Sequence, residues 1–179
     1  MPGKIFRQFF LPNTRESMVE SLREIRGFIS EFLPANVVER DIIFKVEMVV
    51  TELLTNALKH VKDSESHMRI YIDNQWLSIE KTDFGTQFNP NNFADIFNHP
   101  VGYKILHSFD ELHSVYAVLE NDNRVRFTCK PKIHRQEIDP TSVDEHFGMI
   151  IISKSAEEFT YNYDSDSGLN RFNVRIKLA

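Results

Sequence analysis

Two long stretches of helical apolar periodicity, followed at once by strand-like alternation, restrict this chain more than any other feature. Met18, Leu22, Ile25, Ile29 and Phe32 recur at three- and four-residue steps, the spacing that lays one apolar stripe along a helix. The stripe predicts an amphipathic helix over residues 14 to 33, entered through Asn13 with Glu16 as the reciprocal member of a capping box and closed before Pro34. A second and more apolar helix is expected over residues 38 to 61, carrying Ile42, Val46, Val49, Leu53, Ala57 and Val61, and it reads as the central buried helix. Lys4 to Leu11 reads as a first or edge strand stopped by Pro12 and Asn13. Met68, Ile70 and Ile72 alternate with Arg69, Tyr71 and Asp73, and Asp73-Asn74-Gln75 turns the chain into Trp76 to Thr82, which predicts a hairpin. Helices and strands segregated in this way predict an α/β (α+β) two-layer sandwich, with a mixed sheet carrying its helices on one face.

With 179 residues, 41% of them hydrophobic, the chain can build one sizeable core and not two, so residues 1–179 are expected to form a single domain. It holds no run of about twenty apolar residues, and Lys4, Arg7 and Gln8 interrupt the N-terminal stretch where a signal peptide would be apolar. The expectation is a soluble, cytoplasmic protein with no membrane partner. Cys129 is the only cysteine, which excludes an internal disulfide and a cysteine-cluster metal site and suits a reducing compartment. Its simplest reading is a small buried apolar residue. A net charge of −5 argues against a nucleic-acid partner, whose phosphates require a basic face. Fifteen phenylalanines are many for this length, and some are expected on a partner-facing surface.

The C-terminal half contains two similar passages. Val101-Gly102-Tyr103 leads into an apolar run, Asp110-Glu111, an alternating strand, a turn at Asn121-Asp122-Asn123 and a strand ending Phe127-Thr128-Cys129-Lys130. Phe147-Gly148-Met149 leads into Ile150-Ile151-Ile152, Glu157-Glu158, a strand Phe159 to Tyr163, a turn at Asp164 to Gly168 and a strand Phe172 to Leu178. Both read as glycine, short helix, hairpin. Helix-plus-hairpin units are common in α/β folds, so coincidence is as good an account as duplication.

Glu52 and Asn56 stand four apart on the second predicted helix and therefore share a face about one turn apart. Polar groups there mark a solvated rim first and a ligand site second. The wider pattern changes that order. Glu52-Leu53-Leu54-Thr55-Asn56-Ala57-Leu58-Lys59-His60 resembles the N-box of GHKL ATPases, the superfamily of the Bergerat fold, and Asp83-Phe84-Gly85-Thr86-Gln87-Phe88-Asn89-Pro90 resembles their first glycine box. One hairpin separates the two, as in that superfamily. The Phe-Asn-Pro ending is similar to the form found in anti-sigma factor serine/threonine kinases of the partner-switching branch.

The resemblance implies ATP and Mg²⁺ as cofactors, bound between the helices and a lid. It implies Asn56 as the Mg²⁺ ligand, a role that suits a hard amide oxygen, and Glu52 as the general base that polarises an attacking hydroxyl or water. Asp83 would accept from the adenine amino group, and Gly85 would let the backbone pass close to the base. Lys59 or His60 would reach phosphate, although an exposed helix C-terminal turn favoured by the helix dipole explains them equally well. The chain also departs from the pattern. Gln87 stands where many members carry a second glycine, and the later glycine box, which sets backbone amides against phosphate, has one glycine in each candidate, Gly102 or Gly148. Gly102 gives a short lid and leaves residues 131–179 as a helix-hairpin extension; Gly148 gives a long lid and makes that segment the last part of the core. The Gly102 register is preferred, because Ile105-Leu106 followed by Asp110-Glu111 resembles the family's helix-end pattern. The function implied is a serine/threonine kinase that sequesters a sigma factor and phosphorylates an anti-sigma factor antagonist. The alternative is a degenerate nucleotide-binding or protein-interaction module without transfer, favoured by the reduced glycine boxes. An orphan histidine-kinase catalytic domain ranks third, since no helical hairpin with an acceptor histidine precedes the boxes. A homodimer is compatible with the sequence.

Overall fold

The structure is a computed structural model, and it describes residues 5–33, 40–60, 65–73, 75–89, 95–132 and 147–178, excluding the side chains of Arg40 and His60. Strand β1, Ile5–Pro12, is followed by helices α1, Arg15–Phe32, and α2, Arg40–His60, and by the hairpin β2, Glu65–Ile72, and β3, Trp76–Phe84. A meander comes next, of β4, Lys104–Phe109, β5, His113–Asn121, and β6, Arg124–Pro131. Helix α3, Phe147–Ser155, and the hairpin β7, Glu158–Asp164, and β8, Leu169–Lys177, complete the chain.

All eight strands join one sheet in the order β1-β2-β3-β8-β7-β6-β5-β4. Each neighbouring pair is antiparallel, so the sheet is antiparallel rather than mixed. The pair of helices between β1 and β2 reverses the chain twice and returns it antiparallel, where a single crossover helix would give a parallel neighbour. Strand residues alternate between a buried face, with Ile70, Ile79, Val174, Phe159 and Ala117, and an open polar one. The helices bury Ile25, Phe28 and Ile29 of α1, Val46, Val49 and Leu53 of α2, and Met149, Ile150 and Ile152 of α3 into the same core. On the open face, Glu158 holds Arg124, Arg126 and Arg175 together, and Arg175 lies 4.3 Å over the Trp76 ring.

Local chemistry shifts two sequence expectations. Thr14, not Asn13, caps α1, its Oγ1 accepting from the Ser17 N–H at 3.2 Å. Asn13 instead accepts from the Ser66 hydroxyl at 2.9 Å and so pins the start of β2. The second helix runs over 40–60, with Val38 and Val61 outside the described residues.

The larger correction concerns the two similar passages. No helix follows Gly102; Lys104–Phe109 is β4, paired with β5 from Lys104 opposite Val118 to Phe109 opposite Ser114. A short apolar run has no helical identity of its own. At this end of the sheet α3 already packs on α2 and over β4 to β7, so the helix layer is occupied and the run completes the sheet. The passage after Gly148 does form helix α3, and its hairpin ends in β8, paired with β3 from Trp76 opposite Lys177 to Phe84 opposite Leu169. The C-terminal hairpin thus lies in the middle of the sheet.

Candidate functional site

Glu52, Asn56 and Lys59 follow the i, i+4, i+7 spacing of α2 and therefore share one face of it. Glu52 and Asn56 are half-buried and Lys59 is exposed. Burial pushes the Glu52 carboxyl above its ordinary range, and the charge of Lys59 pulls it part of the way back. The face is closed by α3, whose second residue, Gly148, lies directly against Glu52. A Cβ built on Gly148 would overlap the carboxylate oxygen Oε2 and stand 3.3 Å from Cδ. This glycine therefore makes room for the Glu52 carboxylate at the start of α3, where the first N–H groups of a helix have no intrahelical acceptor.

Asp83 anchors a second cluster near the end of β3. Leu77, Ile79, Lys81 and Asp83 all take the inward phase of that strand, so a lysine and an aspartate enter the protein on the register that buries its aliphatic residues. Lys81 is 2% exposed and Asp83 5%. The Lys81 ammonium donates to Asp83 Oδ2, and Asn170 Nδ2, directly across the strand pair, donates to Asp83 Oδ1 at 3.1 Å. Burial lowers the Lys81 pKa while the Asp83 charge and hydrogen bond oppose that shift. A buried pair of this kind adds little net stability, but removing one partner leaves a bare charge and costs about 3–5 kcal/mol.

The segment after Gly85 folds over this pair. The Phe88 N–H lies 2.9 Å from the Tyr161 hydroxyl oxygen and 3.3 Å from Asn170 Oδ1. The Tyr161 hydroxyl donates to Asn170 Oδ1 at 2.6 Å, and Asn170 Nδ2 also donates to the Thr86 carbonyl at 3.2 Å. The Phe88 ring packs against Phe172 at 5.3 Å, Tyr161 at 5.5 Å and His107 at 6.1 Å. Burial pushes the Tyr161 phenol well above its ordinary pKa, which keeps it a donor. Gly85 has φ 154°, a backbone conformation that favours glycine, and its N–H bonds to the Gly168 carbonyl at 2.9 Å.

The structure thus brings Glu52, Asn56 and Lys59 onto one face with Glu52 against Gly148, and it sets Asp83 and Gly85 where β3 ends. Gly102 belongs elsewhere, at the entry to β4 with φ 87° and its N–H on the Leu119 carbonyl at 2.8 Å. His60 is the last residue of α2, and its side chain lies outside the described residues. Sequence reading missed Lys81, Tyr161 and Asn170. The signal for Lys81 and Asn170 was a polar residue at an inward-phase position, beside Ile79 on one strand and Phe172 on the other.

Among the described residues no group of three or more His, Cys, Asp or Glu side chains is placed to hold a metal ion, and no helix is long and apolar enough to cross a membrane. Asn56 and Glu52 offer hard oxygen donors on one face of α2, a donor set that fits a Mg²⁺ held mainly by a bound triphosphate.

A helix layer over one face of a sheet, with a polar helix face meeting the glycine-bearing start of another helix, defines the class as a two-layer α+β domain with a candidate site between α2 and α3. The model of the histidine kinase-like ATPase domain family matches residues 16–171, and the chain belongs to that family of ATP-binding domains. No curated protein matches the chain.

Proposed function

We propose that this protein is an ATP-dependent serine/threonine protein kinase of the partner-switching type, which phosphorylates an anti-sigma factor antagonist and sequesters a sigma factor. The observation that carries the reading is the contact between Glu52 and Gly148, which sets a half-buried carboxylate against the first turn of α3 with Asn56 one helical turn away. The first-turn N–H groups of α3 would receive phosphate oxygens, and the Asn56 amide oxygen would hold Mg²⁺. Mg²⁺, when bound, neutralises phosphate charge and orients the chain of phosphates. Glu52 takes the proton of the acceptor hydroxyl as its oxygen bonds to the γ-phosphorus; the bond to the β-phosphate oxygen breaks and ADP leaves. A carboxyl whose pKa is raised by burial is a better proton acceptor at neutral pH than an ordinary one. Asp83 would accept from the adenine amino group. Lys59 lies close enough in charge terms to act on Glu52 and is the basic residue for phosphate.

One observation favours the second reading, a nucleotide-binding or interaction module without transfer: both Asp83 oxygens already have partners inside the protein. The two readings separate in one assay, Mg²⁺-dependent transfer of the γ-phosphate to serine or threonine of candidate antagonist proteins. The kinase reading expects phosphorylated antagonist with the wild type and none with Glu52→Gln. Bound ATP with no transfer to any antagonist would establish the module instead.

A further inference from the structure

The buried pair at the end of β3 does more than hold the fold. We propose that Lys81 competes with the bound base for Asp83 and thereby sets both the nucleotide affinity and the base selectivity of the site, an inference that rests on the nucleotide reading above. Asp83 Oδ2 is held by the Lys81 ammonium and Oδ1 by the Asn170 amide at 3.1 Å. A base amino group reaches this carboxylate either by displacing one of them or by sharing an oxygen that one of them already holds. With Asp83 5% exposed beneath the Thr86 to Phe88 segment, either approach also requires that segment to give way, and Asn170 is the partner tied to it, through the Thr86 carbonyl and the Phe88 N–H. Opening the segment therefore loosens Asn170 and leaves Lys81 on the carboxylate as the donor with which the base amino group must share Asp83.

A carboxylate alone only accepts, and where it faces the 6-substituent of a purine it selects an amino group over an oxo group. A carboxylate beside an ammonium is different. Lys81 carries three N–H donors and gives one to Asp83, so the base end of the site presents a donor as well as an acceptor. A 6-oxo purine finds a partner in Lys81 where a 6-amino purine finds one in Asp83, and the two are told apart weakly. The ammonium is 5.6 Å from the Phe172 ring and Lys81 is 2% exposed, so bulk water offers it little in exchange for Asp83.

The test compares ATP with inosine triphosphate, which differs in bearing a 6-oxo group, on the full-length protein with Mg²⁺, by calorimetry and with folding checked by circular dichroism. The wild type is expected to bind the two within about threefold of each other. Lys81→Met keeps the aliphatic bulk and removes the competing donor. It is expected to bind ATP about tenfold more tightly and to prefer ATP over inosine triphosphate by about thirtyfold or more. A wild type that already prefers ATP by thirtyfold overturns the inference even if the variant fails to fold. A folded variant with unchanged affinity and unchanged preference overturns it as well, while leaving the nucleotide reading intact. Binding of neither triphosphate to the wild type or the variant, with inorganic tripolyphosphate equally inert, overturns both.

Discussion

The passages 101–131 and 147–178 begin with a similar sequence and end as different structures. Each opens on a glycine between larger residues, runs through aliphatic residues to an acidic pair and finishes in a hairpin. The first becomes a meander at the sheet edge, where Gly102 serves a turn at φ 87°. The second becomes a helix packed on α2, where Gly148 clears space for Glu52, followed by the strand that pairs with β3. What differs is the surface each run meets. Ile150 and Ile152 find an apolar helix-layer position beside α2, while Ile105 finds the unpaired edge of β5, where Leu106 stays exposed. A glycine followed by an apolar run is therefore no guide to a phosphate-side helix until its packing partner is known.

The two glycines give the sharpest way to break this comparison, because alanine should act on them in opposite directions. Gly148→Ala introduces the Cβ that overlaps the Glu52 carboxylate. The carboxylate is the flexible end of its side chain and will swing away, so the fold survives and α3 gains at most about 1 kcal/mol of helix stability. Under the kinase reading, in which transfer needs that carboxylate in place, phosphoryl transfer should fall about a hundredfold or more. Gly102→Ala has open space around its Cβ but strains a left-handed backbone, so it should cost about 1 kcal/mol in a denaturant melt and leave transfer within about twofold. If Gly102→Ala abolished activity and Gly148→Ala left it unchanged, the assignment of the two passages would be reversed.

A smaller effect sharpens the same point through Glu52. Its carboxyl is held above the ordinary value of 4.5, so the folded protein keeps this proton to higher pH than the unfolded chain does. The stability it contributes is present below 4.5 and is lost as pH rises through the folded-state value. Glu52→Gln removes that titration. Relative to wild type its melting temperature should be unchanged near pH 4 and higher at about pH 8, by no more than about 2 °C because the half-buried group is screened by water. An advantage for glutamine that instead vanished at high pH would place Glu52 in a different environment.

How much of this was legible before the fold was known depends on whether the signal was local. The apolar stripes over 14 to 33 and 38 to 61 and the alternation from Met68 carry their own period, and α1, α2, β2 and β3 follow them. The two-layer arrangement followed as well. The pairing of β8 with β3 across about ninety residues left no mark in either strand, and neither did the competition for the helix layer that made Lys104–Phe109 a strand. At the candidate site, spacing showed that Glu52 and Asn56 share one helix face, while their ligand role and Asp83 entered through the resemblance of the motifs. Lys81 and Asn170 were visible only as polar residues out of phase, and their purpose required knowing that Asp83 and Asn170 are directly opposed.

The central claim is that Glu52 and Asn56 face the phosphates, one as the base and the other as the ligand to the metal. Titration of wild type, Glu52→Gln and Asn56→Ala with ATP, each with and without Mg²⁺, tests it most directly. Asn56→Ala should lose Mg²⁺-dependent binding by about a hundredfold, whereas Glu52→Gln should bind within a few-fold of wild type and transfer no phosphate. Equal losses of binding in the two variants, or binding in both that ignores Mg²⁺, would contradict the account.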